Sequence, residues 1–371
     1  MSELKTTPLH ALHIELGAKM VEFTGYDMPV SYPLGVLKEH TWTRENCGLF
    51  DVSHMGQAWL IADSQETVAD EVEKLIPAEV KGLAQGKQQY SQLLNDNGGI
   101  MDDLIITKPA EEKYADRLYI VVNAGCKEVD YAFMAEKFGS VKIERLENRA
   151  QIAIQGPKAE SVLSKIIPGT EAMTFMTFKS FDWNGVEVLV SRAGYTGEDG
   201  YEVSVPAESS VEFAKLLGAD ADAEWIGLGA RDSLRLESGL CLYGNDLDET
   251  TTPIEADLLW SISKRRRAEG GFTGADTVLK QIENGASRKR VGFDIDGRAP
   301  CREGTEVFVG GEKVGEITSG GFGVSVGKPV AMGYINIEHS AVDTEVTLMV
   351  RNKEVSAKVC KMPFVKQNYK R

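Results

Sequence analysis

Two adjacent carboxylates are the residues of this sequence best placed for acid–base or electrostatic chemistry. Asp102 and Asp103 stand in the run Gly98-Gly99-Ile100-Met101-Asp102-Asp103-Leu104-Ile105, where a glycine turn leads into an apolar strand. Neighbouring side chains of a strand point to opposite faces, so one carboxylate can face a cavity while the other faces solvent or a turn. On the residues alone, a pair of turn-capping acids is the favoured interpretation.

A glycine-rich aromatic segment, residues 194–202, joins two apolar strands. Its glycines let the backbone approach a flat ligand, and Tyr195 can stack on such a ligand. Glu202 lies in the following strand, and a buried carboxylate must be paired with donors. The edge of a pterin, with its amino group and ring N–H, would supply two. The alternative is a tight connection that carries a surface glutamate.

A pair of arginines, Arg231 and Arg235, is spaced for one face of a helix. The pair can clamp an anion, or it can form structural ion pairs with Asp232 or Glu237. Residues 227–232 begin like a dinucleotide fingerprint, but Asp232 stands where that fingerprint needs Gly or Ala. The sequence therefore predicts no NAD or flavin site, and it contains no P-loop.

Metal and nucleophile patterns are not found. The five cysteines and five histidines are scattered, and their spacing predicts no metal site. His54 is interpreted as a structural residue, because no Ser/His/Asp or Cys/His system can be assembled. Two basic clusters, 264–267 and 288–290, are either solvated loops or a docking surface for an acidic partner.

Composition narrows the class of protein. The 371 residues carry a net charge of −15, and 42% of them are hydrophobic. This length predicts two or three domains, and the acidic balance disfavours nonspecific binding of nucleic acid. The sequence shows no membrane-length apolar run and no secretory or transit peptide. We therefore expect a cytoplasmic protein with neither a membrane nor a nucleic-acid partner.

Two segments of similar order are predicted to position the candidate residues. The first has a strand at 58–62, a helix capped by Asp63, a hairpin turning near 97–99, a strand at 118–122 and a helix near 127–137. The second has a strand at 151–154, a helix after Gly156-Pro157, a hairpin at Asn184-Gly185, a strand at 201–205 and a helix near 209–217. The repeated order predicts two split β-α-β units, although such patterns also recur by chance. From Arg290 onward, short apolar runs between glycine turns predict an all-β barrel or sandwich, after a linker near 283–287.

Taken together, these segments resemble the glycine cleavage T-protein family over nearly the whole chain. Each matching stretch is modest alone, but their order is specific: Thr7-Pro8-Leu9, 17–21, 49–55, 98–105, 192–202, 227–237, Leu242-Tyr243-Gly244, 361–365 and Tyr369. The resemblance implies an α+β fold of two ferredoxin-like, split β-α-β domains and a C-terminal all-β barrel, arranged as a cloverleaf around a central folate channel. It also implies interleaved boundaries: a folate-binding domain of residues 1–53 and 145–246, a second α+β domain of 54–144 and 247–285, and a barrel of 286–371.

The resemblance also implies roles for individual residues. It matches Asp103 to the catalytic aspartate, Tyr195 and Glu202 to pterin contacts, Arg231 and Tyr369 to substrate contacts, and Met55, Tyr90 and Asn123 to other cavity positions. Thr107 departs from the pattern, because some relatives carry a tyrosine there. The departure concerns one pterin contact and not the activity.

The implied activity is that of an aminomethyltransferase. It takes the aminomethyl group on the lipoyl arm of the H-protein, releases ammonia and passes the methylene to tetrahydrofolate, giving 5,10-methylenetetrahydrofolate, without metal, flavin or NAD. Because the folate N5 is already nucleophilic and loss of ammonia leaves an iminium-like cation, we expect Asp103 to stabilise charge rather than to abstract a proton. At about 4 Å and an effective dielectric of about 20, a carboxylate could contribute up to about 4 kcal/mol.

Two other functions are alternatives. One is a different folate-dependent one-carbon transferase or demethylase of the same fold, because a fold does not fix a function. The other is a non-catalytic folate-binding protein, whose known members carry a Lys-Gly-Cys-Tyr type of motif that this sequence lacks. Amine dehydrogenases that contain this module also need a flavin domain, for which the sequence has neither the length nor the fingerprint.

Overall fold

The computed structural model describes residues 4–371. Residues 1–3 lie outside the described residues; they begin the first predicted domain and are part of the segment in which no targeting peptide was found. Within the described part, the strands form a two-stranded hairpin, an eleven-stranded sheet and a closed six-stranded barrel. No helix of that part is long and apolar enough to cross a membrane.

The strands alternate with helices through most of the chain. The hairpin consists of β1 (Lys19–Phe23) and β2 (Tyr26–Ser31). The large sheet contains β3 (Cys47–Asp51), β4 (Gly56–Ile61), β5 (Lys87–Leu94), β6 (Ile100–Lys108), β7 (Arg117–Val122), β8 (Lys142–Arg145), β9 (Arg149–Gln155), β10 (Thr177–Trp183), β11 (Val186–Arg192), β12 (Gly200–Pro206) and β13 (Ala223–Trp225). The barrel contains β14 (Arg288–Ile295), β15 (Glu306–Val309), β16 (Glu312–Gly323), β17 (Lys328–Asn336), β18 (Glu345–Val350) and β19 (Lys353–Cys360).

The helices are short, and each covers a sheet or joins two parts of the chain. They are α1 (His10–Glu15), α2 (Val36–Glu45), α3 (Gln65–Val72), α4 (Lys127–Lys137), α5 (Ala159–Ser164), α6 (Ala207–Gly218), α7 (Leu228–Glu237), α8 (Lys264–Glu269) and α9 (Ala275–Asn284). Single 3₁₀ turns occur at Glu112–Tyr114, Thr170–Ala172, Leu259–Ser261 and Ile337–His339.

Local chemistry explains where several elements begin. The Ser64 side chain caps α3 by accepting a hydrogen bond from the backbone N–H of Thr67 at 3.1 Å, so the predicted cap at Asp63 is wrong by one residue. Asn184 and Gly185 have φ values of +55° and +82°, which a two-residue hairpin turn requires. The predicted hairpin between β10 and β11 is therefore confirmed.

The eleven-stranded sheet has two halves with separate cores. Its order is β13-β3-β9-β12-β11-β10-β5-β6-β7-β4-β8, and the halves meet where β10 pairs with β5 at the single position Thr177–Lys87. Apolar residues of α5 and α6 pack on the first half, and those of α3 and α4 pack on the second. A third core fills the barrel. The predicted α+β fold with a C-terminal barrel is confirmed, but its two α+β units share one sheet; the residue boundaries of the domains stay a prediction.

Candidate active site

The hairpin of β5 and β6 carries Asp103. Gly98 turns the chain with a φ of +82°. A Cβ on Gly99 would lie 1.8 Å from the carbonyl oxygen of Glu249, so the close approach at this turn requires glycine. The resulting register places Asp103 directly opposite Gln92, and the two side chains share one face of the sheet.

Two side chains from neighbouring strands hold the Asp103 carboxylate. The Tyr90 hydroxyl, on β5, donates to Oδ2 at 3.0 Å. The Asn123 amide, just after β7, donates to Oδ1 at 2.7 Å. The structure thus brings together three residues, Asp103, Tyr90 and Asn123, that were predicted to share a site.

Asp102 is buried on the opposite face of β6. It accepts hydrogen bonds from the backbone N–H of Asn123 at 2.8 Å and from the Asn123 side chain at 2.9 Å. Its side chain has no exposed surface, so it does not face solvent; it faces the turn that begins at Asn123, which is the other predicted alternative. Asn123 contacts both carboxylates because it follows the strand that pairs with β6.

Burial makes the charge of Asp103 costly. Burial and the adjacent Asp102 carboxylate raise the pKa of Asp103 to about 7. The pKa of Asp102 is also raised, chiefly by burial. An ionised Asp103 in this environment would be stabilised by a nearby cation, and it would stabilise that cation in return.

A second cluster contains Tyr195, Arg231 and Glu202. The guanidinium carbon of Arg231 lies 4.7 Å from the centre of the Tyr195 ring, within cation–π distance. Glu202 accepts a hydrogen bond from Gln151 at 3.2 Å. Burial raises the pKa of Glu202, whereas the charge of Arg231 opposes that rise.

The charge of Asp103 couples the first cluster to the second. Burial raises the pKa of Tyr195, and the charge of Asp103 adds to the rise. Tyr195 donates its hydroxyl hydrogen to the backbone carbonyl of Cys241. Burial raises the pKa of the Cys241 thiol to about 12, and Asp103 is again among the charges that raise it.

Several buried polar atoms near the two clusters have no hydrogen-bond partner within residues 4–371. They are Arg231 Nη1, Gln151 Oε1, Gln92 Nε2 and His54 Nδ1. Gln92 lies opposite Asp103, Gln151 contacts Glu202, and the charge of Arg231 acts on His54. Since buried polar groups are normally hydrogen-bonded, these atoms fit a site that receives a polar ligand.

Comparison with known proteins decides the family. The GCVT N-terminal domain model matches residues 9–266, and the glycine cleavage T-protein C-terminal barrel model matches residues 288–366. A probable mitochondrial aminomethyltransferase of Schizosaccharomyces pombe is 47% identical over 99% of this chain and 95% of its own length. The chain belongs to the glycine cleavage T-protein family.

Other T-proteins agree over the same span. The mitochondrial aminomethyltransferase of Dictyostelium discoideum is 44% identical over 100% of this chain and 94% of its own length. The crystal structure of glycine cleavage system aminomethyltransferase T from Bartonella henselae is 41% identical, covers 100% of both chains and gives a TM-score of 0.93. The agreement includes the α+β sheet and the closed barrel, so it confirms the fold class of this T-protein.

Met55, Thr107 and Tyr369 lie outside the two clusters. Met55 follows β3 and lines a cavity of 290 Å³ together with Gln57 and Lys127. Thr107 is buried inside the sheet opposite Tyr119. Their roles in the T-protein site stay predictions.

Tyr369 stacks on Phe175, with ring centres 4.0 Å apart. Burial raises the pKa of Tyr369 to about 12, and the charged groups that influence it are Arg44, Glu198 and Arg371 rather than Asp103. Within residues 4–371, no hydrogen bond or ring stacking joins Tyr369 to Asp103, Tyr90 or Asn123. Its predicted contact with substrate is untested.

Sequence reasoning missed three residues in and around the Asp103 cluster. Gln92 could have been found, because it lies two positions after Tyr90 and so shares its face of the strand. Trp260 is 65% exposed and stacks on Tyr90, with ring centres 5.4 Å apart. Asp130, on α4, is buried next to Asp102. Trp260 and Asp130 carry no local signal, since tertiary packing alone brings them to the site.

The predicted arginine pair does not form a clamp. Arg235 pairs with Asp232 at 2.7 Å and with Asp246 at 2.8 Å, whereas Arg231 faces Tyr195. The structural interpretation therefore applies to Arg235. Arg231 is left as the arginine of the cluster with Tyr195 and Glu202.

Arginines of both basic clusters contribute to holding the T-protein fold together. Arg265 contacts Glu73 and Glu79, both at 2.6 Å. Arg266 is buried and donates to the backbone carbonyl of Glu73, and Arg290 is buried and donates to the carbonyl of Ala256 at 3.0 Å. Neither solvated loops nor a docking surface describes these arginines.

The expected cytoplasmic location is wrong. The T-proteins most similar to this chain include several named as mitochondrial, from yeast, slime mould and potato. The expectation rested on the first residues of the sequence. A targeting segment is a removable address rather than part of the fold, so those residues were a poor guide to the compartment.

Proposed function

We propose that Asp103 is the charge-stabilising residue of aminomethyl transfer to tetrahydrofolate in this protein. As a T-protein, the chain is an aminomethyltransferase of the glycine cleavage system. The observation that carries the assignment is the half-buried Asp103 carboxylate, which Tyr90 and Asn123 hold by hydrogen bonds and whose charge acts on Tyr195.

The cluster of Tyr195, Glu202 and Arg231 is assigned to the pterin of tetrahydrofolate. Glu202 can accept hydrogen bonds from the pterin amino group and ring N–H, and these bonds would offset the burial of its charge. Gln151 Oε1, which has no partner in the described residues, offers one more acceptor beside Glu202. The face of Tyr195 offers a stacking surface, already used on one side by Arg231.

The lipoyl arm of the H-protein is assigned as the donor of the one-carbon unit. In the net reaction the carbon leaves the lipoyl sulfur, nitrogen leaves as ammonia, and tetrahydrofolate supplies N5 and N10, which bond to the carbon. The two N–H hydrogens of the folate balance the thiol and ammonia that form. Trp260 is exposed and stacks on Tyr90, the residue whose hydroxyl bonds Asp103, so it offers the arm a contact at the surface.

Asp103 acts mainly through its charge. Positive charge develops on the one-carbon unit as ammonia leaves, and a carboxylate at about 4 Å would lower the barrier by up to about 4 kcal/mol. Since about 1.36 kcal/mol corresponds to a tenfold change in rate, this amounts to at most about a thousandfold. Tyr90 and Asn123 fix the carboxylate, so little reorganisation is needed when the charge forms.

The test is ammonia release from an aminomethylated lipoyl carrier, with and without tetrahydrofolate. We expect Asp103→Asn to retain folate binding and to lose about 100- to 1000-fold in turnover, because the amide keeps the shape of the carboxylate without its charge. Asp96→Asn, an exposed substitution in the same hairpin, is the matched control. Near-normal turnover of Asp103→Asn, or release that ignores folate, would contradict the proposal.

A further inference from the structure

A third buried carboxyl group lies behind Asp103. Asp130 belongs to the first turn of α4, and its side chain has no exposed surface. Neither of its oxygens receives a hydrogen bond from an N–H or hydroxyl donor in the described residues. Interaction with the neighbouring Asp102 carboxyl group shifts the pKa of Asp130, so the two carboxyl groups lie close together.

The groups around Asp130 supply no positive charge. Asp102 faces it from β6, Cys126 from the start of α4 and Tyr243 from the loop after α7, and the charge of Asp103 acts on it from the other face of β6. Within residues 4–371 no Lys, Arg or His forms an ion pair with it; Lys127, its neighbour on α4, is bonded to the Tyr26 hydroxyl and the His54 carbonyl. Two carboxylates in contact cannot both ionise under these conditions, so the pair must share a proton.

The hydrogen bonds show where that proton belongs. Asp102 already accepts two bonds from Asn123, at 2.8 and 2.9 Å, and such bonds favour its ionised form. Asp130 has no comparable donor. The proton is therefore better placed on Asp130, which can then donate to Asp102.

We propose that Asp130 is a positioning residue, a neutral carboxylic acid whose hydrogen bond to Asp102 keeps Asn123, and through it Asp103, in place. The inference rests on the proposed role of Asp103. Burial and the charge of Asp102 raise the pKa of Asp130 to about 10, in agreement with a neutral group near pH 7.

The arrangement has a consequence for Asp103. Asn123 Nδ2 lies 2.7 Å from Asp103 and 2.9 Å from Asp102, so its two hydrogens serve both carboxylates. Without the bond from Asp130, Asp102 would compete more strongly for Asn123 and draw it away from Asp103. With Asp130 ionised, a third negative charge would raise the pKa of Asp103 further and leave it protonated at neutral pH.

Three variants test the proposal by the pH profile of kcat/KM. Asp130→Leu removes the hydrogen-bond donor and keeps a side chain of similar volume. We expect kcat/KM to fall about 10- to 100-fold, the loss typical of one hydrogen bond to a charged group. Asp130→Asn restores a neutral donor, so it should recover most of that loss and leave the acid limb of the profile in place. Glu136→Gln, an exposed substitution on α4, is the control for the helix.

Different results would overturn the neutral state of Asp130 and its positioning role. If Asp130 is ionised in the native protein, Asp130→Asn removes a negative charge and moves the acid limb to lower pH, which would overturn the neutral assignment. Full turnover of Asp130→Leu would overturn the positioning role.

Infrared spectroscopy tests the protonation state without any need for activity. The carbonyl stretch of a protonated carboxylic acid should be present in the protein at pH 8, absent in Asp130→Asn and retained in Asp103→Asn. A spectrum that is unchanged in Asp130→Asn would overturn the proposal. Because the band does not depend on turnover, failure of the Asp103 assignment in the ammonia assay is distinguishable from failure of this one.

Discussion

Asp103 combines two requirements, because its half-buried carboxyl group is partly withdrawn from water and must still be ionised to act through its charge. Because Asp102 and burial raise its pKa to about 7, the ionised fraction increases as pH rises through that value. If Asp103 acts as a carboxylate, kcat/KM should therefore increase with pH through about 7 and then level off. A pH–rate profile, measured with lipoyl carrier that is aminomethylated to the same extent at every pH, checks this prediction. Activity that declines over the same range would contradict it.

The charge of Asp102 offers a direct test of what raises the pKa of Asp103. Asp102→Asn removes the negative charge beside Asp103, so the acid limb should move to lower pH by about one unit. Turnover at high pH should fall less than in Asp103→Asn, because the charge that faces the cavity is kept. The same pH–rate measurement checks this, with Asp96→Asn as control; an unmoved limb would mean that burial alone sets the pKa of Asp103.

Glu202 makes a separate prediction about binding. If it accepts hydrogen bonds from the pterin edge, Glu202→Gln should weaken tetrahydrofolate binding about 10- to 100-fold, the loss expected for a charge-assisted bond. Calorimetry without the carrier measures the affinity alone. Glu208→Gln, exposed at the start of α6, should leave it unchanged, and equal affinities for both variants would remove Glu202 from the site.

The sequence shows the two adjacent aspartates but does not show which side chains contact them. Asp102 and Asp103 are identical in type and adjacent, so only the resemblance to relatives distinguished them before the structure was known. Tyr90 is 13 residues from Asp103 along the chain, and Asn123 is 20. Their convergence depends on the pairing of three strands, which periodicity predicts only as separate strands.

Elements with strong local signals were predicted well. Helix α4 begins and ends at the predicted residues, Lys127–Lys137, and the β10–β11 turn lies at Asn184 and Gly185. The single pair of residues that joins β10 to β5, Thr177 and Lys87, has no such signal. Pairing between distant strands is set by tertiary packing, so the continuous sheet could not be predicted from either half.

Helix α7 depends on a close approach that only glycine permits. A Cβ on Gly227 would lie 2.4 Å from the carbonyl oxygen of Val30. The backbone N–H of Gly227 donates to the Glu39 carboxylate at 2.9 Å. Gly227→Ala should push α7 away from β2 and carry Arg231 with it. We expect a loss of stability of about 1–3 kcal/mol and weaker folate binding.

Stability and folate affinity are both measured for Gly227→Ala. Denaturant unfolding measures the stability, and calorimetry measures the folate affinity. Gly139→Ala is the matched control, because its Cβ would meet nothing closer than Glu71 at 3.8 Å. If Gly227→Ala lost stability but bound folate normally, the position of α7 would not determine the position of Arg231.

The molecule as a whole is held together by buried ionic contacts between its parts. Glu237, at the end of α7, lies 3.1 Å from His40 and 3.1 Å from Arg44, both on α2. It also accepts a hydrogen bond at 2.7 Å from the backbone N–H of Ser325, in the barrel loop between β16 and β17. One carboxylate thus connects two helices of the α+β part to the barrel, which no charge pattern in the sequence indicated.

Glu237 therefore ties the stability of the assembled domains to pH. Burial alone would raise its pKa, but hydrogen bonds and charge from His40, together with bonds from Ser325, lower it to about 2. A carboxyl group whose pKa is lower in the folded protein than in the unfolded chain stabilises the fold at pH values above its unfolded pKa. For Glu237 this stabilisation is lost as pH falls through about 2. Glu237→Gln should cost about 3–5 kcal/mol near pH 7, because it leaves Arg44 without one buried partner, and the difference from the native protein should narrow below pH 4.

Urea unfolding between pH 2 and pH 7 measures this contribution. Glu338→Gln is the matched control, because Glu338 also faces a histidine, His339 at 3.4 Å, but its side chain is 73% exposed. Exposed pairs of this kind contribute about 0–1 kcal/mol, so this variant should follow the native curve. Equal unfolding curves for Glu237→Gln and Glu338→Gln would show that the barrel is held by its apolar contacts with α7, among them Leu236 against Val330 and Met332, rather than by the buried carboxylate.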